Sequence, residues 1–294
     1  MNAAELAARL DDYFHIERYE TDDFAAIVDL CREADIAIEE YATPSFLQRF
    51  NGLMLDNADE VEQAFCLVFP SDEALGEVER RAAGQPCLVF THHPMDMETG
   101  GRGLVPVPTD WLERLRGRRI CLYAAHAPLD CHETTSTSRA LAGAVGVPVG
   151  GTFGRYFGGQ AGVYGHIEPI HFIRFEEEVK AACGVATLET KVVRSMVERV
   201  AVVAGGAAYP RLMEEAQALG CDTYVTGDWR VRHGGAWADE HRPQFEAALK
   251  GISLNLIGGS HYATEMLVLR DKLVPYFRSL GLAAEFVPQS DPWR

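Results

Sequence analysis

Two adjacent histidines, His92 and His93, stand where the apolar run Cys87-Leu88-Val89-Phe90-Thr91 gives way to Pro94. Two further apolar runs end in the same way. Ile120-Cys121-Leu122-Tyr123-Ala124-Ala125 leads into His126, with Asp130 four residues on. Leu254-Asn255-Leu256-Ile257 leads through Gly258-Gly259-Ser260 into His261, with Glu265 four residues on. Neutral imidazoles and carboxylates are ligands for first-row divalent metals, so the chemistry expected of these residues is metal coordination. His92, His93, Asp130, His261 and Glu265 are too many for one tetrahedral ion that keeps an open position. They suit two ions about 3.5–4 Å apart, bridged by a carboxylate and a hydroxide. Asp130 or Glu265 is the natural bridge, because one imidazole nitrogen cannot hold two metals. Zinc, manganese, iron, cobalt and nickel all accept such a set. The reaction implied is hydrolytic, a metal-bound hydroxide attacking a carbonyl, an amidine-type carbon or phosphorus. His126 is a sixth ligand, an outer partner of a ligand, or a proton carrier.

Positioning these groups requires strands that end at one rim. In α/β sheets, ligands gather beyond the carboxyl ends of the strands, which is where all three apolar runs place their histidines. His261 and Glu265 open a helix that continues through Met266, Leu269 and Leu273, so both face one side of it. Neighbours on a strand point to opposite faces, so His92 and His93 can share an ion only if the chain has left strand geometry there, as Pro94 favours. Histidines 15, 166 and 171 lack such context and read as polar surface residues. His233 and His241 lie on a loop from which they could reach the site.

A repeat organises the chain. Residues 66–71 and 201–206 are short apolar strands; a helical stretch follows each, Asp72 to Ala83 and Ala207 to Leu219; then come strands Cys87 to Thr91 and Asp222 to Thr226. The offset is 135 residues without a gap, pairing Val68 with Val203 and Thr91 with Thr226. Two strand–helix–strand units of this length predict an α/β fold of two related lobes, with mostly parallel or mixed sheets flanked by helices. After Thr91 come His92 and His93, whereas after Thr226 come Gly227 and Asp228, so the metal is assigned to a first lobe, 1–134 plus 246–294. The second lobe, 135–245, is expected to be a wall or lid. The glycine-rich stretch 150–159 matches no phosphate-loop spacing and reads as a mobile connection between the lobes.

Composition narrows the partners. The 294 residues carry a formal charge of −16, with 43 Asp and Glu against 27 Lys and Arg. No basic stripe is present, which argues against nucleic acid. No apolar run approaches the ~20 residues of a membrane span. Seven cysteines without a CxxC spacing, several inside apolar runs, fit buried thiols in a reducing cytoplasm. The expected partner is a small-molecule substrate.

At Thr91-His92-His93-Pro94, His126-Ala127-Pro128-Leu129-Asp130-Cys131-His132, Thr226-Gly227-Asp228 and Gly259-Ser260-His261-Tyr262-Ala263-Thr264-Glu265, the chain resembles the Nif-three-like family. Bacterial members of that family are called GTP cyclohydrolase 1 type 2 homologues. Asn51-Gly52-Leu53 and Ile167-Glu168-Pro169 resemble weaker signatures, while Pro44 to Leu55, Ala204 to Ala207 and Trp229 to His233 depart from the family pattern. The resemblance implies a two-lobed α/β fold, two divalent metal ions per chain on His92, His93, Asp130, His261 and Glu265, and a ring-shaped homohexamer. Two functions follow as expectations. One is a metal-dependent hydrolase, cyclohydrolase-like or phosphoester-cleaving, acting on a nucleotide-like or phosphorylated small molecule. The other is a non-catalytic oligomeric protein that binds or delivers metal or acts through regulatory partners.

Overall fold

The computed structural model describes residues 1–21, 27–98, 103–232 and 236–292. In chain order the elements are α1 (Ala3–Phe14), α2 (Ile27–Glu33), α3 (Pro44–Arg49), β1 (Gly52–Leu55), β2 (Gln63–Leu67), α4 (Asp72–Ala82), β3 (Cys87–Thr91), β4 (Asp96–Glu98), β5 (Gly103–Val105), α5 (Thr109–Gly117), β6 (Ile120–Ala124), α6 (Ala127–Asp130) and α7 (Thr137–Ala144). There follow β7 (Gly151–Tyr156), β8 (Gly159–His171), α8 (Phe172–Cys183), β9 (Glu189–Lys191), β10 (Met196–Val203), α9 (Pro210–Ala218), β11 (Thr223–Thr226), α10 (Ala236–Ala248), β12 (Asn255–Gly258), α11 (His261–Val268), α12 (Val274–Ser279) and β13 (Ala283–Phe286). They form two compact units. The first comprises Met1–Met97, Leu104–His132 and Leu269–Ser290, and the second Glu98–Gly103, Glu133–Val268 and Asp291–Arg294.

The first unit is built on a five-stranded sheet in the order β1-β6-β3-β2-β13. All neighbours run parallel except β1, which pairs antiparallel with β6. Every residue of β3 and β6 is buried, as expected of central parallel strands covered on both faces. One face packs Phe65, Leu67, Val89 and Leu122 against α4 and α5, whose inward residues include Leu75, Val78, Leu112 and Leu115. Ser71 caps α4 by accepting a hydrogen bond from the Ala74 amide at 3.2 Å, which contributes on the order of 1 kcal/mol. The cap also fixes where the chain leaves β2.

The second unit carries a six-stranded sheet in the order β7-β8-β10-β11-β12-β9, with β10, β11 and β12 mutually parallel. Its core joins Phe153, Ala201, Tyr224 and Leu256 to Leu212, Met213 and Ala216 of α9. The parallel triplet β10-α9-β11 … β12 repeats the topology β2-α4-β3 … β6 of the first unit, so the duplication read from the sequence has a counterpart in strand order.

Two expectations are corrected here. Residues 246–268 stand with the second unit, because β12 pairs parallel with β11 in its sheet; only Leu269–Ser290 joins the first. The sequence shows two lobes but not the lateral partner of β12, and its apolar run fits either sheet. The glycine-rich stretch 150–159 is the hairpin β7–β8, turning at Phe157 and Gly158, both with positive φ (41° and 85°). Its glycines serve close packing: a side chain at Gly151 would run into the Tyr164 ring, and one at Gly154 would sit 2.8 Å from the Leu212 side chain.

Candidate metal centre

The loop after β3 leaves strand geometry at His92, as sharing one ion requires. The His92 and His93 amides still donate to the carbonyls of Leu67 and Val68, at 3.2 and 3.1 Å, which holds the histidine pair against the end of β2. Thr91 adds a brace, its buried hydroxyl lying 2.8 Å from the His93 carbonyl and 3.1 Å from that of Val68. His92 is wholly buried and His93 is 1% exposed. The His93 ring stacks on buried Phe69, with centroids 4.4 Å apart.

The neighbouring strand end supplies the rest. His126 precedes the short helix α6 in an unusual backbone conformation (φ −93°, ψ −93°), and its amide donates to Oδ1 of buried Asn51 at 2.7 Å. Asp130 follows one helical turn later and brings its carboxylate to the same place. Nε2 of His92 lies 3.5 Å from Asp130 Oδ1, and Nε2 of His126 lies 4.0 Å from Oδ2. One ligand nitrogen from each of His92, His93 and His126 falls within 4.8 Å of the others. His92 Nδ1 is 2.9 Å from the Ala125 carbonyl, which can only accept, so Nδ1 carries the proton and Nε2 is left as the donor atom for a metal. Two ligands of a tetrahedral ion with bonds near 2.0–2.2 Å sit roughly 3.3 Å apart. The His92–Asp130 separation therefore already matches shared coordination, and the donor set fits a divalent cation.

On the second unit, His261 opens α11 and Glu265 lies one turn on, both nearly buried, with His261 Nε2 3.0 Å from Glu265 Oε1. The turn Gly205-Gly206 closes on this pair. A Cβ on Gly205 would lie 2.1 Å from Glu265 Oε1, and one on Gly206 3.2 Å from His261 Nδ1. Gly205 is fixed in turn: its amide donates to Thr264 Oγ1 at 3.0 Å, and its carbonyl accepts from the amides of Gly227 and Asp228 and the Thr226 hydroxyl, each at 3.1 Å. Asp228 is 6% exposed and pairs with Arg232 at 3.1 Å. Burial pushes its carboxyl up to about 6, against the opposing pull of His261 and Arg232.

Of the residues singled out in the sequence, the structure thus gathers His92, His93, His126 and Asp130 on the first unit and His261 with Glu265 on the second. His126 offers a ring nitrogen to the first set, beside those of His92 and His93. The same 135-residue offset that relates the two strand–helix–strand units carries His126 onto His261 and Asp130 onto Glu265, a correspondence the motif reading overlooked. Sequence reasoning also missed Asn51, Phe69, Thr264 and Gly205, which hold the candidate ligands in place without resembling ligands. Elsewhere, His132 lies against Tyr13, ring on ring at 4.6 Å with Nε2 2.9 Å from its carbonyl, and His241 packs edge-on against Phe245. His233 lies outside the described residues.

The sequence pattern of the family described as Duf34/NIF3 (NGG1p interacting factor 3) matches residues 32–290, and the chain belongs to that family. It is similar to proteins named GTP cyclohydrolase 1 type 2 homolog. The one from Archaeoglobus fulgidus is 23% identical over 297 residues, with 98% of each chain covered, and the one from Deinococcus radiodurans is 27% identical, covering 86% of this chain and 88% of its own. Among solved structures, the fold is shared with protein ybgI, of unknown function (TM-score 0.71, 20% identity, 99% and 100% covered). Reduced HcgD from Methanocaldococcus jannaschii shares it too (TM-score 0.64, 22% identity, 98% of each chain). These likenesses establish the two-lobed α/β fold. Among the described residues, no helix is long and apolar enough to cross a membrane.

Proposed function

We propose that the chain is a metal-dependent hydrolase acting on a nucleotide-like or phosphorylated small molecule. Two divalent ions per chain would be held by His92, His93, His126 and Asp130 on the first unit and by His261 and Glu265 on the second. The observation that carries this reading is the first set: three imidazoles and a carboxylate, nearly all buried, with the His92 and Asp130 donor atoms at a coordination spacing of 3.5 Å. Bound divalent ions supply a Lewis acid and lower the pKa of water toward neutrality. The chain's own part is orientation. The Ala125 carbonyl fixes the His92 tautomer, Asn51 fixes the backbone that presents His126, and Phe69 fixes the plane of His93. The name borne by the relatives, GTP cyclohydrolase 1 type 2 homolog, supports placing GTP among the substrates to try first.

The test is to load the purified protein with manganese, zinc, iron, cobalt or nickel and to screen GTP, phosphodiesters and phosphomonoesters. Turnover that disappears in His93→Ala, with the fold intact by circular dichroism, supports the reading; unchanged turnover in that variant ends it. A second reading, a non-catalytic metal-binding or interaction protein, is favoured by the words "interacting factor" in the family's description. It predicts tightly held metal and no turnover across the panel. We also place the protein in the cytoplasm as a homohexameric ring, on the strength of family membership, and light scattering of the purified protein checks the ring.

A further inference from the structure

A cavity of about 560 Å³ opens on the first unit between the end of α1 and the start of β1, a size suited to a small metabolite. Its place is informative. β1 runs antiparallel to β6, with Gly52 opposite Ala124, so the cavity lies at the carboxyl end of β6, the usual ligand end of an α/β sheet. Asn51 belongs to its wall and also holds the His126 amide at 2.7 Å, so wall and histidine turn are one piece of structure.

The lining is charged and only partly satisfied. Asp11 faces the cavity and receives a hydrogen bond on Oδ1 from buried Tyr123, at 2.8 Å. Among the described residues its Oδ2 accepts no hydrogen bond, nor do the side chains of Asp12 and His15 form one. Gly52 has φ +101°, and a Cβ there would stand 3.5 Å from Asp11 Oδ1, so the glycine leaves the carboxylate uncovered. Partial desolvation raises the Asp11 carboxyl above its ordinary range, and a cationic ligand would offset that cost. Across the cavity, Arg49 is tied to Glu17 only by a loose, exposed ion pair of 3.8 Å, which an incoming anion can replace with little loss. Three carboxylates (Asp11, Asp12, Glu17) and two guanidiniums (Arg18, Arg49) line the space. Such a lining suits neither a bare cation nor a bare anion.

We propose that this cavity binds a small zwitterion, with a protonated amine or amidine on Asp11 and a phosphate or carboxylate on Arg49. Binding itself does not depend on the hydrolase reading. That such a molecule is a substrate, placed by Asn51 beside the His126 turn, does rest on it.

The test is isothermal titration of the full-length protein with O-phosphoethanolamine and with ethyl phosphate, which lacks the amine. The expected result is saturable binding, tighter for phosphoethanolamine, that weakens about tenfold or more in Asp11→Asn while ethyl phosphate is unaffected. Arg49→Gln is expected to weaken both. Phosphoethanolamine binding that persists in His93→Ala supports the cavity even if that variant has shown no hydrolase to exist. Its loss there, with the fold intact, would place the ligand on the metal and overturn the proposal. Absence of saturable binding at millimolar concentrations, or an unchanged affinity in Asp11→Asn, overturns it as well.

Discussion

Replacing Gly205 by alanine tests how the His261–Glu265 pair is held, and with it the metal site proposed there. The new methyl group would stand 2.1 Å from Glu265 Oε1 and 3.1 Å from its Cδ, where ordinary contact begins near 3.4 Å. Gly205 itself cannot retreat, since its amide and carbonyl are anchored to Thr264, Thr226, Gly227 and Asp228. The carboxylate must therefore move by about 1.3 Å, several times the roughly 0.2 Å tolerance of a metal–ligand bond. We expect metal affinity at Glu265 to fall about 100-fold or more, beyond the 10–100-fold typical of losing a partner that only orients a ligand. Positive φ at Gly205 (76°) adds a stability cost of roughly 1–2 kcal/mol for any L side chain. Gly84→Ala isolates that second effect: Gly84 has φ +84° and nothing within 4 Å of an added Cβ, so it should lose comparable stability and no metal. Gly206→Ala, with contacts of 3.2–3.3 Å to His261, should fall between the two. Metal stoichiometry by mass spectrometry with competitive chelation, and melting temperature in EDTA, read both quantities. A Gly205→Ala protein that keeps wild-type affinity and stoichiometry would refute the steric argument.

Asn51→Ala removes the acceptor of the buried His126 amide and should cost about 1–3 kcal/mol in denaturant titrations, with weaker metal binding at the first unit; an unchanged midpoint would contradict the role assigned to it. Asp228 gives a pH signature. Its folded carboxyl lies at about 6, above the ordinary aspartate value of 3.8, so the folded state binds the extra proton between those pH values. Stability should therefore fall as pH rises through that window and stay lowered above it, by up to about 3 kcal/mol. Asp228→Asn should lack this decline, which a comparison of the two proteins' denaturation midpoints from pH 4 to 7 in chelator measures. All seven cysteines are buried, and burial raises the thiols of Cys31 and Cys221 to about 11. Ellman's reagent at pH 8 should find almost no fast-reacting thiol in the native protein and seven after guanidinium treatment.

Much of this is legible in the sequence, for identifiable reasons. Chain runs such as Cys87–Thr91 and Ile120–Ala124 are apolar throughout because central parallel strands are covered on both sides, so strand ends, and the histidines just past them, can be read directly. His261 and Glu265 are legible through helical spacing. What a strand pairs with sideways is not written in its own residues, which is why the strand before His261 reads into the wrong lobe. The glycines at 150–159 likewise look alike as a mobile linker or as close-packed strand residues until Tyr164 and Leu212 are seen against Gly151 and Gly154. Asn51 and Gly205 act through a backbone amide and an absent side chain, and neither has a spacing signature.

The interrupted course of the first unit has a consequence for biosynthesis. Its sheet is completed by β13, which lies beside β2 although the whole stretch Glu133–Val268 is translated between them. While the ribosome works through that stretch, the outer edge of β2 has no neighbour, and a bare parallel edge invites pairing with another nascent chain. A polypeptide halted at Val268 would already contain every histidine and carboxylate assigned to the metal, yet its β2 would still be waiting for a strand. Expression yield of such a fragment, soluble or aggregated, therefore reads how far the late arrival of four residues governs the fate of the early ones.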